Sequence, residues 1–187
     1  MKILTSDQIR EADAFTIKNE PVPSTALMER AASACFEWIN THIGENKKIA
    51  IVCGLGNNGG DGLVISRLLT KTSHRVSTFI IRYSKKCSSD FLVNEKKIAK
   101  TKGKVWNINK SYEIPDFTKY DVIIDALFGS GLSKPLEGLA AEVVGKINNS
   151  KSYIISIDFP SGLFSEKENP DKKNVIVHAD TTLTFQV

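Results

Sequence analysis

Residues 49–62 constrain the fold more than any other stretch of the chain. Ile49-Ala-Ile-Val-Cys53 is a continuous apolar run that passes directly into Gly54-Leu-Gly-Asn-Asn-Gly-Gly-Asp-Gly62, five glycines in nine positions. A short apolar run of this kind suits a parallel strand buried on both faces. Glycines at its end let the backbone turn sharply and approach a ligand, and the free amides at the start of a following helix favour an anion such as phosphate. Val64, Ile65, Leu68 and Leu69 come next at helical spacing. The unit therefore reads as strand, glycine turn and helix.

The alternation continues along the chain. Residues 76–81, 104–108, 122–125 and 153–157 read as further strands, and 175–177 and 182–185 as two more. Between them, residues 90–102 read as a helix, as does the segment carrying Leu136, Leu139, Ala140, Val143, Val144 and Ile147. Upstream, Thr5-Ser-Asp-Gln8 has capping-box spacing and predicts a helix to about Asn19. Two prolines in Glu20-Pro-Val-Pro-Ser24 end it, and Ser24 is expected to cap a second helix whose Leu27, Ala31, Cys35 and Trp38 share one face. That face can pack on the domain or on a second copy of the chain.

Strand-helix-strand units with right-handed crossovers specify an α/β fold: a three-layer α/β/α, Rossmann-like domain around a mostly parallel sheet. A strand order of 3-2-1-4-5 sets strands one and four side by side and opens a crevice at their carboxyl ends, where such sheets bind ligands. The loops after strands one, four and five are the richest in glycine and aspartate. Composition agrees with one domain across residues 1–187: 41% of the chain is hydrophobic, enough for one sizeable core.

A net charge of +4 is too mild for a dedicated nucleic-acid binder. Lys85, Lys86, Lys96, Lys97, Lys100, Lys102 and Lys104 read as a solvated helix face and its flanks. Cys35, Cys53 and Cys87 are odd in number and far apart, suggesting neither a disulfide framework nor zinc. With no visible export signal or membrane segment, a cytoplasmic protein is expected.

Three loops are candidates for chemistry. Gly54, Gly56 and Gly59 match GxGxxG, but strand two ends in Ile80-Ile81-Arg82, without the acid that holds a ribose hydroxyl in a dehydrogenase. Asn57, Asn58 and Asp61 place polar side chains where that motif wants bare backbone; a plain turn would need one or two glycines, not five. In Asp125-Ala-Leu-Phe-Gly-Ser-Gly-Leu-Ser-Lys-Pro135, a carboxylate at the tip of a buried strand requires a cation or several amides. Its glycines can wrap an extended ligand, with Lys134 near a phosphate; a strand end followed by a helix cap is the plainer alternative. Asp158-Phe-Pro-Ser-Gly162 aims Asp158 and Ser161 at the same crevice, unless both only satisfy local amides. Asn58, Asp125 and Ser161 together offer hard oxygen donors suited to an alkali or alkaline-earth ion. His42, His74 and His178 fall outside these loops, and no hydrolytic triad is recognisable.

Leu27-Met-Glu-Arg-Ala31, Gly56-Asn-Asn-Gly-Gly-Asp-Gly62, Asp125-Ala-Leu-Phe-Gly129 with Gly131, Ile157-Asp-Phe-Pro-Ser-Gly162 and Ala179-Asp-Thr-Thr-Leu-Thr-Phe185, in this order, resemble the NAD(P)H-hydrate epimerases, or YjeF N-terminal domains. The resemblance runs from about Ser6 to Phe185. It implies interconversion of the R and S forms of NADHX and NADPHX, nicotinamide dinucleotides hydrated at C6 of the ring. It further implies substrate binding by Asn57, Asn58, Gly59, Gly60 and Asp61, by Gly129, Ser130, Gly131, Leu132, Ser133, Lys134 and Pro135, and by Asp158, with a potassium ion on Asn58, Asp125 and Ser161. A homodimer is expected on the same ground. Family members continue beyond the last strand, many into an ADP-dependent dehydratase domain, so the domain is expected to be truncated at its C-terminal end. Asp158 is favoured as the acid/base, because potassium should keep Asp125 ionised. Rival readings are a conventional NAD(P)-dependent oxidoreductase and a catalytically silent scaffold.

Overall fold

A computed structural model describes residues 6–164 and 174–185. Its elements are α1 (Ser6–Asn19), α2 (Ser24–His42), β1 (Lys48–Cys53), α3 (Asn57–Leu69), β2 (Arg75–Ile81), α4 (Ser89–Ile98), β3 (Lys104–Ile108), β4 (Val122–Ala126), α5 (Gly138–Asn148), β5 (Tyr153–Ile157) and β6 (Thr181–Leu183). Two 3-10 turns, Ser111–Glu113 and Phe117–Lys119, separate β3 from β4.

The strands form one sheet in the order β3-β2-β1-β4-β5-β6, which contains the expected 3-2-1-4-5 and adds β6 at the edge, and every neighbouring pair is parallel. β1 lies between β2 and β4, with Ile51 opposite both Thr78 and Ile124. The two-residue period of the strand divides the core into two layers. Ile49, Ile51 and Cys53 pack among Met28, Leu63 and Phe91 on the side of α2, α3 and α4; Ala50 and Val52 pack among Phe117, Val143 and Ile147 on the side of α5. With helices on both faces, the carboxyl edge of the sheet is where such a fold binds ligands.

Several expectations shift. α3 begins already at Asn57, ahead of the helical pattern that opens at Val64, so the asparagines are in its first turn. α4 ends at Ile98; Lys100 and Lys102 fall beyond it, and all seven clustered lysines are exposed. The face of α2 that packs on the core is Met28, Ala32, Cys35 and Ile39. Leu27 and Ala31 lie one position around and are half-buried. Residues 175–177 form no strand. They are pinned by single contacts, Val177 N donating to Ser161 O at 2.9 Å and Asn148 Nδ2 to Ile176 O at 2.8 Å, which compete with a ladder. The final strand is 181–183 and occupies the edge beside β5. Thr5 of the expected capping box and residues 165–173 lie outside the described residues. No described helix is long and apolar enough to cross a membrane.

Candidate functional site

The loops after β1 and β4 touch through their backbones. Gly54 N donates to Ala126 O at 3.0 Å, and a Cβ built on Gly54 would stand 1.8 Å from Leu127 O. Only a residue without a side chain permits this crossing. Past it the loops diverge around a cavity of about 630 Å³. Its polar floor is the start of α3, the loop after β4 and Asp158; its apolar wall comes from Ile9, Ala14 and Ile17 of α1 and Leu27 and Ala31 of α2.

Asp125, at the end of β4, is fully buried. It receives Leu127 N (3.2 Å) and Ser161 Oγ (2.6 Å) on Oδ1, and Ser156 Oγ (2.8 Å) and Ser161 N (2.9 Å) on Oδ2. Burial pushes its carboxyl upward and these four donors pull it back, burial being the larger effect. The requirement for several amides is met, with hydroxyls added. Ser161 Oγ in turn accepts from Phe128 N at 2.8 Å and lies 3.2 Å from Phe128 O, which ties the loops after β4 and β5 together.

Asp158 stands just past β5 with φ of +65°, a left-handed conformation in which aspartate and asparagine are among the more tolerated residues. The bend turns its carboxylate onto the loop after β4, where Oδ2 accepts Ser130 N at 2.8 Å. A Cβ on Gly129 would lie 2.5 Å from that same oxygen and 3.3 Å from Asn58 Cγ. Gly129 therefore lets the Asp158 carboxylate and the Asn58 amide share one niche. Burial raises the proton affinity of Asp158 above the ordinary carboxylate value. Asn58 is 9% exposed, and neither its Oδ1 nor its Nδ2 has a hydrogen-bond partner among the described residues. An amide so desolvated costs about 1–3 kcal/mol unless a ligand or ion completes it.

The expected site residues separate into four groups. Asn57, Asn58 and Asp61 from α3, Gly129, Ser130, Gly131 and Leu132 after β4, and Asp158 line the cavity. Gly59 and Gly60 do not; they pack α3 against the Gly54 turn and the Met28 sulfur. Ser133, Lys134 and Pro135 are exposed and outside the lining. Asp125 and Ser161 are wholly buried behind it.

Among the lining residues outside the expected set, three carry polar side chains: Ser24, Tyr83 and Asp90. Ser24 was expected as a helix cap, but Pro23 holds that position and the Ser24 hydroxyl donates to Asp90 Oδ1 at 3.0 Å. Tyr83, just beyond β2, accepts Leu55 N at 3.2 Å and packs against Phe128 with ring centroids 4.9 Å apart. Asp90 is in the first turn of α4 and 9% exposed. The rule that draws attention to the ends of β1, β4 and β5 applies equally to the end of β2 and would have reached Tyr83.

The model for "YjeF-related protein N-terminus" matches residues 24–187. An NAD(P)H-hydrate epimerase of Limosilactobacillus fermentum is 36% identical, over 97% of this chain and 84% of the relative. The bifunctional NAD(P)H-hydrate repair enzyme Nnr of Thermofilum pendens is 35% identical over 99% of this chain, which spans 36% of that protein. Among solved structures, yeast YNL200c has the same fold, with a TM-score of 0.73 at 22% identity over 94% of this chain and 77% of the yeast one. The chain belongs to the YjeF-related N-terminal family.

Proposed function

We propose that this protein is an isomerase that epimerises hydrated NADH and NADPH at C6 of the nicotinamide ring. The observation that carries the proposal is the niche at Gly129, where a half-buried carboxylate of raised proton affinity meets an unpartnered amide inside the cavity, in a chain 36% identical to a named NAD(P)H-hydrate epimerase.

The substrate is a carbinolamine, so C6 bears both a hydroxyl and the ring nitrogen. Asp158 donates a proton to the departing group, either the hydroxyl, which leaves as water, or N1 on ring opening, when the hydroxyl gives up its own proton to water as it becomes a carbonyl, and C6 becomes planar. Return from the opposite face gives the other epimer and restores the proton to Asp158. The niche beside Asn58 and Ser130 N holds the reacting carbon near the carboxylate. The amides opening α3 face the substrate's phosphates. The apolar wall from α1 and α2 keeps bulk water away from the planar intermediate.

The donor set fits a potassium ion. Asn58 has an orphaned amide oxygen, Asp125 is a buried carboxylate whose hydrogen bonds come only from uncharged donors, and Ser161 Oγ bridges Asp125 to the Phe128 carbonyl. Asn58, Asp125 and Ser161 would hold the ion, which when bound supplies a fixed positive charge that keeps Asp125 ionised.

A homodimer is part of the same proposal, supported by the resemblance and by Phe15, 70% exposed on α1. So is a cytoplasmic location. A fused dehydratase domain in a longer parent chain finds support in the Thermofilum relative, of which this chain spans 36%. The enzymatic reading is tested by incubating the protein with pure R-NADHX and following the S form by chromatography. Failure to exceed the uncatalysed rate contradicts it.

A further inference from the structure

We infer that Asp90 reads the adenosine ribose of the dinucleotide and makes the protein selective for NADHX over NADPHX; this rests on the function proposed above. The cavity runs along the carboxyl edge of the sheet from Tyr83 and Asp90, past β2, to Asp158, past β5. In the order β2-β1-β4-β5 that is three strand spacings, about 14 Å. With the hydrated ring at Asp158 and Asn58, and the phosphates at the amides of α3 beyond β1, the adenosine half extends toward β2. The side chains waiting there are Tyr83 and Asp90.

Asp90 is fixed before any ligand arrives. Ser24 Oγ and Ser89 Oγ reach its Oδ1 at 3.0 and 3.4 Å, holding the carboxylate at the lining. An acid presented to a nucleoside at the β2 end of a doubly wound sheet accepts a hydrogen bond from the ribose 2′-hydroxyl, and an arginine nearby is what accommodates a 2′-phosphate. Here the acid arrives from the first turn of α4 instead of the tip of β2. The arginine at that tip, Arg82, is occupied: Nη2 pairs with Glu95, Nε donates to Asn107 Oδ1 at 2.8 Å, and its guanidinium lies 5.8 Å over the Phe91 ring. No lysine or arginine lines the cavity among the described residues, while Asp61, Asp90 and Asp158 do. A 2′-phosphate, carrying about two negative charges, would meet a like charge and find no counter-ion. The orphaned Asn58 amide in the same cavity is an independent sign that a polar ligand completes it.

The test compares binding of NADH and NADPH, stable stand-ins for the hydrates, by calorimetry at one ionic strength, in wild type and in Asp90→Asn. Wild type should bind NADH at least about tenfold more tightly, and Asp90→Asn should close most of that gap by gaining affinity for NADPH. A second variant, Ser24→Ala, removes one hydroxyl that steadies the carboxylate but keeps its charge, so it should still disfavour NADPH. Equal affinities in wild type, binding of neither dinucleotide, or an unchanged ratio in a folded Asp90→Asn overturns the inference. Turnover of R-NADHX by the same preparation reports separately on the proposed reaction: a protein that binds with the stated preference but does not epimerise refutes the reaction alone.

Discussion

Replacing Asp158 by asparagine removes one charge and one titrating proton while keeping the shape of the side chain. The amide oxygen can still accept Ser130 N, now 2.8 Å from Oδ2, and asparagine tolerates the φ of +65° at this position at least as well as aspartate. Burial raises the Asp158 carboxyl above its unfolded value. Relative to the variant, wild type therefore has its greatest stability below the unfolded-state value and loses that advantage as pH rises through the folded-state value. Near neutral pH the thermal midpoint of Asp158→Asn should equal or exceed that of wild type. Activity should behave oppositely, because a positioned acid/base is worth about 10²–10⁴ in rate, or roughly 3–5 kcal/mol of transition-state stabilisation. The assay is initial-rate conversion of R-NADHX to the S form across pH, alongside melting curves. Wild type should lose kcat/KM on an alkaline limb that starts above the ordinary carboxylate range, and the variant should lack that limb. A folded Asp158→Asn within tenfold of wild-type kcat/KM would refute the assignment; a collapsed midpoint would refute the reasoning about shape and conformation.

Three further outcomes are expected. Potassium chloride should raise the melting midpoint of wild type more than tetramethylammonium chloride at equal ionic strength, and Asp125→Asn should abolish the difference; identical responses of the two proteins count against the cation site. Gly129→Ala puts a methyl 2.5 Å from Asp158 Oδ2 and should cost about 1–3 kcal/mol in denaturant unfolding together with most of the turnover, whereas wild-type behaviour would show that the niche is looser than described. Light scattering at micromolar concentration should give the mass of a dimer, with a monomer contradicting the association proposed through α1.

Much of the architecture was legible because it rests on periodicity. The apolar runs at Ile49 to Cys53 and Val122 to Ile124 have no polar face, which places them in the middle of a parallel sheet, and the glycines after Cys53 locate the crevice. Finer points were not legible, because local rules permit more than one answer. Leu27 and Met28 are both apolar, and which of them meets the core depends on how α2 rotates over α3, where Gly60 admits the Met28 sulfur. Residues 175–177 have strand propensity, but a hydrogen bond from Val177 N to the Ser161 carbonyl and one from the Asn148 amide to the Ile176 carbonyl claim their backbone. Ser24 and Asp90 each have a sufficient local explanation, as a helix cap and as a first-turn acid favoured by the helix dipole. Only the fold brings them together at 3.0 Å on the cavity wall.

The central claim is tested most directly by following epimerisation from both sides. Pure R-NADHX and pure S-NADHX, each incubated with catalytic amounts of the protein in potassium buffer, should reach the same R to S ratio by chromatography, far faster than without protein. With Asp158→Asn both approaches should slow by about 10²–10⁴. Persistence of the two starting forms in the presence of folded, dinucleotide-binding wild-type protein would contradict the account.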